Sequence, residues 1–199
     1  MTMRRRRAAH EDGIALVVAL MATTLLLALC SALVLLTSTE TKVAANDHDG
    51  AEAFYAADSA VALAVSELRG VVDWSTALSG SITSTLADGL PSGRRTLPDG
   101  DVIDLDLERP VDGSGMTWRL YAYGGLAAWM PGTSVDPRIS VGVWLCGDSA
   151  GDLDTLIVRG RAYGPQHARR SVDVVIRRHV TPGLPAAEVP LERLSWGER

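Results

Sequence analysis

Hydrophobic and polar positions divide this chain into three regimes. From Ile14 to Leu36 runs an uncharged stretch, IALVVALMATTLLLALCSALVLL, whose 23 residues extend about 34 Å as an α-helix, enough for a hydrocarbon core of about 30 Å. From residue 37 to 70 apolar positions recur at Ala51, Phe54, Val61, Val65 and Leu68 without an intervening proline. Glu40, Lys42, Asp47, Asp49, Glu52, Glu67 and Arg69 fall between them, so the pattern predicts an amphipathic continuation of the same helix. Gly50 is a candidate bend, since glycine costs about 1 kcal/mol relative to alanine in a helix. Thr37 to Thr41 is a second weak point, and Gly70 is a natural stop.

Residues 71–100 are rich in Ser, Thr, Gly and Pro and read as a loop with one short helix near Trp74–Leu78. From Asp101 the period becomes two. Ile103, Leu105 and Leu107 alternate with acidic residues up to Glu108, and similar strands are predicted at Thr117–Tyr123 and Ile139–Cys146. Leu153–Tyr163 and Ala168–Val180 flank Gly164-Pro165-Gln166-His167, a hairpin connection. In the last strand Val172, Val174 and Ile176 point inward. The tail 181–199, with three prolines, reads as extended and poorly ordered. The expected fold class is α+β: a long N-terminal membrane and amphipathic helix packed on an antiparallel β-sheet of four or five strands, within an exported domain at 71–180.

Charge adds a direction. Residues 1–13 form a leader in which Arg4–Arg7 outweigh Glu11 and Asp12 by +2, leaving −7 on the rest of a chain of net charge −5. The arginines hold the N-terminus in the cytoplasm and send the residues beyond Leu36 across the membrane. The apolar run exceeds the roughly 7–15 residues of a secretory h-region. Leu29 before Cys30 excludes a lipoprotein signal, which needs a small residue there. About 160 residues after the apolar helix suffice for one domain. Its acidic balance offers no electrostatic reason to bind nucleic acid directly.

A basic leader ending in Gly13, followed at once by the apolar helix beginning at Ile14, resembles the type IV pilin-like proteins. The segment AEAFYAADSAV within residues 51–61 is similar to the corresponding stretch of PilX-type minor pilins. The resemblance covers roughly the first 70 residues. It implies cleavage between Gly13 and Ile14 by prepilin peptidase, methylation of the new terminus, and a helix that is first membrane anchor and then filament core. It further implies other pilin and minor pilin subunits, an inner-membrane assembly platform and membrane lipid as partners. Ile14 departs from the family's usual phenylalanine. Val18 stands where major pilins carry a glutamate that pairs with a neighbour's amino terminus. Such an absence is typical of certain minor or tip subunits, including the K-type pseudopilins of type II secretion.

The remaining chemistry is sparse, and no catalytic, cofactor-binding or metal-binding residue is assigned. Of His10, His48, His167 and His179, none lies in a nucleophile or metal motif, and neighbours in Asn46-Asp47-His48-Asp49 diverge around a helix. The acidic groups at Asp99–Asp101 and Asp148–Asp154 lack calcium-loop spacing and read as turns. Trp118, Trp129, Trp144, Tyr121 and Tyr123 read as core aromatics. Arg159, Arg161, Arg169 and Arg170 read as a solvated hairpin tip, with a local basic patch as the alternative. Cys30 and Cys146 lie too far apart in their roles to form a disulfide. The function so implied is a minor pilin or pseudopilin aiding assembly of a type IV pilus or related filament, not an enzyme. The alternative is an uncleaved, single-pass anchored periplasmic or extracellular binding protein, and Gly13 separates the two.

Overall fold

The computed structural model describes residues 4–111, 116–148, 152–179 and 189–198, with side chains from Ile14 onward. Its first element, α1, is an α-helix over Arg4–Leu68. The chain divides into two compact units, Met1–Ala45 and Asn46–Arg199.

From Arg4 the first unit is helical throughout, and its side chains are exposed from Ile14 onward. Neither weak point interrupts it. Thr37, Thr39 and Thr41 each turn the hydroxyl back onto the carbonyl four residues earlier, at 2.8–3.0 Å, which satisfies the side chain without breaking the ladder. In the second unit Gly50 is also helical and buried. The Arg170 guanidinium lies 3.0 Å from where a Cβ would project, so glycine serves close approach there rather than a bend.

The α1 face that meets the sheet is made of small residues. Ala53, Ala56, Ala57, Ala60 and Ala64 are almost wholly buried together with Val61 and Leu68. They share one core with Val141, Val143, Leu145, Leu156, Val158, Val172, Val174 and Ile176. Of the other expected inward positions, Ala51 is exposed, whereas Phe54 and Val65 are half-buried against the same core. α1 ends on Leu68, whose carbonyl accepts the indole N–H of buried Trp74 at 3.0 Å, satisfying one of the acceptors a helix terminus leaves open. Trp74 opens α2 (Trp74–Ser79), capped by Asp73 through the Ser75 N–H.

A two-stranded ladder, β1 (Arg94–Thr96) with β2 (Val102–Asp104), comes next. The strand expected over residues 101–108 is therefore cut short. Asp104 stops it: its carboxylate accepts from Asp106 N–H and its carbonyl from Leu107 and Glu108 N–H, folding the chain into a turn. The main sheet is a five-stranded antiparallel meander in the order β3 (Arg119–Gly125), β4 (Ser140–Gly147), β5 (Thr155–Tyr163), β6 (Arg169–Arg178) and β7 (Leu191–Glu198). A short helix, α3 (Leu126–Trp129), links the first two.

β7 corrects the reading of the tail. Residues 180–188 lie outside the described residues, but Leu191–Glu198 pairs with β6 through a register carrying one bulge. Strand propensity alone is weak there. Trp196 supplies the fixing contacts, donating to Asp58 of α1 at 3.0 Å and meeting the Phe54 ring edge-on at 5.8 Å. The sheet is covered on both sides. Leu97, Ile103, Leu105, Trp118, Leu120, Tyr123, Trp144, Cys146 and Tyr163 form a second core, which explains why β4 is buried at nearly every position rather than at alternate ones.

The helix–sheet contact is closest at Gly160 of β5, where a Cβ would lie 2.6 Å from both the Ala57 carbonyl oxygen and Val61 Cγ2. Backbone cannot yield there as a flexible side chain does. Gly160→Ala is expected to lower unfolding free energy by about 1–3 kcal/mol, the range for overpacking a filled core, as read by denaturant titration of the full chain.

Candidate assembly surface and processing site

Residues 14–36 of α1 are apolar on every face. Leu16, Leu20, Leu25, Leu27, Val34 and Leu35 are each at least about 60% exposed, and the helix from Ile14 is long and apolar enough to cross a membrane. A helix hydrophobic all round is stable only when lipid or other helices surround it. Its few polar groups are prepared for that setting. Thr23 and Thr24 donate to the carbonyls of Leu20 and Met21, and Ser31 to that of Leu27, at 2.8–2.9 Å, so no hydroxyl is left unsatisfied in an apolar medium. Ala15, Ala19, Ala22 and Ala28 leave low points that permit close approach of a neighbouring helix.

Gly13 and Ile14, the expected processing residues, lie within the helical backbone of α1, and Ile14 is 57% exposed. Val18 is exposed likewise and introduces no charge into this segment.

The histidines and acidic loops of the globular unit are engaged internally. His167 Nδ1 meets Asp101 at 2.5 Å and His179 Nε2 meets Glu192 at 2.9 Å, while His48 is exposed on α1. Asp99 accepts the Asp101 N–H, and Asp152 accepts the Asp154 N–H and the Thr155 hydroxyl. Asp154 pairs with Arg178 at 2.7 Å. These are turn and ion-pair geometries, and among the described residues no group of three or more His, Cys, Asp or Glu is placed to hold a metal ion.

The solvated hairpin tip holds for Arg169 and Arg170, which are exposed, but not for Arg159, which is buried, or Arg161, which is half-buried, and ion pairs take all four out of a basic patch. Arg159 makes a two-pronged contact with Asp173 across β5 and β6 and stacks on Trp118, with the guanidinium carbon 4.5 Å from the ring centre. Arg161 and Arg169 share Glu108 at 2.7 and 2.9 Å, and Arg170 pairs with Glu198. Trp118, Trp144, Tyr121 and Tyr123 are buried and Trp129 half-buried, in agreement with their reading as core. Cys146 is buried in β4 and Cys30 exposed on α1, and neither is in a disulfide.

Glu67 has no role that its sequence context announces, yet it is the most connected carboxylate of the α1 terminus. It accepts from the Ser84 hydroxyl, the Thr85 N–H and the Thr85 hydroxyl, the last two at 2.7 Å, fastening the loop after α2 to the helix. Its one signal in the sequence is faint: a Ser-Thr pair 17 and 18 residues downstream. Burial by itself would raise this carboxyl, but the hydrogen bonds from Ser84 and Thr85 together hold it below the ordinary 4.5. Nearby Tyr121 is pushed up by burial first and by the Glu67 charge second.

Residues 12–62 match the family model described as PilX N-terminal. The match bears out the resemblance to PilX-type pilins over that segment. No curated protein matches the chain, and no solved structure does.

The Glu67 clasp makes stability pH-dependent in a stated direction. Its folded carboxyl titrates below the unfolded one, so the contribution is complete above the unfolded range and is lost as pH falls through the lowered folded value. The melting-temperature gap between the natural chain and Glu67→Gln is expected to be constant near neutral pH and to narrow on acidification from about 4.5 downward. A gap that widens in acid would contradict the assignment.

Proposed function

We propose that this chain is a minor pilin or pseudopilin: an inner-membrane precursor, N-terminus cytoplasmic, cleaved by prepilin peptidase between Gly13 and Ile14 and incorporated into a type IV pilus or related filament. The observation that carries the reading is where the PilX match falls. It starts at residue 12, directly over the Gly13–Ile14 junction, and runs through the exposed apolar helix into the part of α1 that covers the sheet. One segment thus joins the proposed processing junction, a lipid-compatible helix and the spine of a folded domain.

The action so described is mechanical. The helix is stored in the bilayer and then packs among the helices of other subunits, where apolar surface all round and alanine low points serve equally well. The PilX-type family consists of structural subunits, and an enzymatic role is not part of the proposal. Pilus, type II secretion pseudopilus and DNA-uptake filament are settings that share this mechanism. Val18 favours a minor place. Without a carboxylate there, the new amino terminus of a neighbour finds no ionic partner on this subunit, and subunits that carry one dock preferentially.

N-terminal sequencing of membrane-extracted protein is expected to begin at Ile14 when prepilin peptidase is present and upstream of Gly13 when it is absent. Gly13→Val is expected to leave an inserted, uncleaved precursor, since insertion follows hydrophobicity rather than that glycine. An uncleaved natural chain beside active peptidase would favour the plain anchored protein. Quantitative mass spectrometry of sheared filaments is expected to find this chain at a small fraction of a glutamate-bearing major subunit. Its appearance as the dominant band would overturn the minor role.

A further inference from the structure

Strand β7 belongs to the sheet but to neither core. No residue of Leu191–Glu198 is buried: six are exposed, and Leu191 and Gly197 are half-buried. By contrast, seven of the eight residues of β4 and seven of the nine of β5 are buried. The first half of β7 also stands off from the helix. A groove of about 390 Å3 separates Leu191, Glu192 and Arg193 from the last turns of α1. The ladder is interrupted as well. Arg193 pairs with Ile176 and Ser195 with Val175, so Leu194 bulges between them, which disrupts pairing in the middle of the strand.

Beyond its backbone bonds, β7 is held by a short set of side-chain ties. Glu198 pairs with Arg170 at 3.4 Å and Glu192 with His179 at 2.9 Å, each partner about half exposed. Water screens such pairs, and they contribute little. Trp196 reaches further. Its indole N–H donates to Asp58 of α1 at 3.0 Å, and its ring meets Phe54 edge-on. The structure beneath does not need β7 to be complete. β6 is paired with β5 from Arg169 to Arg177, and Val172, Val174 and Ile176 share the first core with α1, β4 and β5.

We propose that β7 is a releasable strap: it comes off β6 as one unit, with Trp196 as its catch, while the helix and β3–β6 stay folded. Stability within a fold is distributed over such units, and an edge strand without buried side chains lies at the weak end. Release uncovers the outer hydrogen-bonding edge of β6 beside Phe54, a row of donors and acceptors suited to one extended strand. The catch therefore decides when the sheet can take a strand other than its own. The device lies within the second compact unit and does not depend on processing at Gly13.

Residue-resolved hydrogen exchange on the full-length chain in detergent micelles tests the strap, because alternate amides of β6 bond to β5 and to β7. The β7-bonded amides of β6 and the β6-bonded amides of β7 are expected to share one opening constant. They are expected to exchange on the order of 100-fold faster than the amides between β4 and β5. Trp196→Ala is expected to speed this whole set by about tenfold, for a lost hydrogen bond and a lost ring contact together. The acceleration includes the Leu191 end and leaves the β4–β5 amides unchanged. Trp196→Phe, which keeps a ring for Phe54 but has no N–H for Asp58, is expected to accelerate the same set by less. If β6 amides exchange alike on both edges, at the β4–β5 rate, β7 leaves only with global unfolding and the proposal is overturned. Acceleration by Trp196→Ala confined to Ser195–Glu198 would be end fraying and would overturn it too, as would acceleration spread equally to β4 and β5.

Discussion

The close seating of α1 on β5 is the constraint from which the globular unit is built. At Gly160 the helix backbone comes within reach of the sheet backbone, and only a residue without a Cβ leaves room for the Ala57 carbonyl and the Val61 methyl. That contact dictates an alanine-rich face on α1, since larger side chains at positions 53, 57, 60 and 64 would prop the helix away. The cost of small residues is little apolar area per side chain. The fold offsets it with bulk from the sheet, where valine, leucine and isoleucine on β4, β5 and β6 fill the space, and with Trp74 below the helix end.

Charge in the globular unit is mostly paired across strands. The strand arginines reach across to Asp173, Glu108, Glu198, Asp152 and Asp154, and two of them flatten against Trp118 and Trp144. Desolvating such pairs is costly, and their net contribution is smaller than their number suggests. They do fix register: Arg159 and Asp173 are direct cross-strand partners, and a slip of one residue would move the arginine to the α1 side.

Much of this was legible in the sequence, because its signals are local. The apolar run, the hairpin at Gly164–His167, the short helix at Trp74 and the inward positions of β6 all follow from period and turn chemistry, and the Gly13–Ile14 junction is visible as a boundary. What escaped depends on partners distant in the chain. Phe54 falls at a predicted inward position of α1 by spacing, but the alanines take the tight contact and leave it half-buried at the margin. Leu105 and Leu107 alternate as a strand would, yet the Asp104 side chain turns the backbone between them. Arg159, Arg161, Arg169 and Arg170 read as a solvated hairpin tip. Their carboxylate partners come from β6, the turn after β2 and β7, and only folding brings these together.

The placement of β7 has a consequence for the order in which the domain is completed. Asp58 and Trp196, which tie the last strand to the helix, are separated by 138 residues. At translation rates of roughly 5–20 residues per second, about 7–28 seconds pass between their synthesis. During that interval the flank of α1 around Phe54 lacks its aromatic neighbour, and for its last part, about 1–4 seconds for the 20 residues from the end of β6 to the end of β7, the outer hydrogen-bonding edge of β6 is bare, a template open to any other strand. The β7 strand therefore acts as a seal applied at the end, and a chain shortened by that length would be exposed to mispairing for its whole life rather than for seconds.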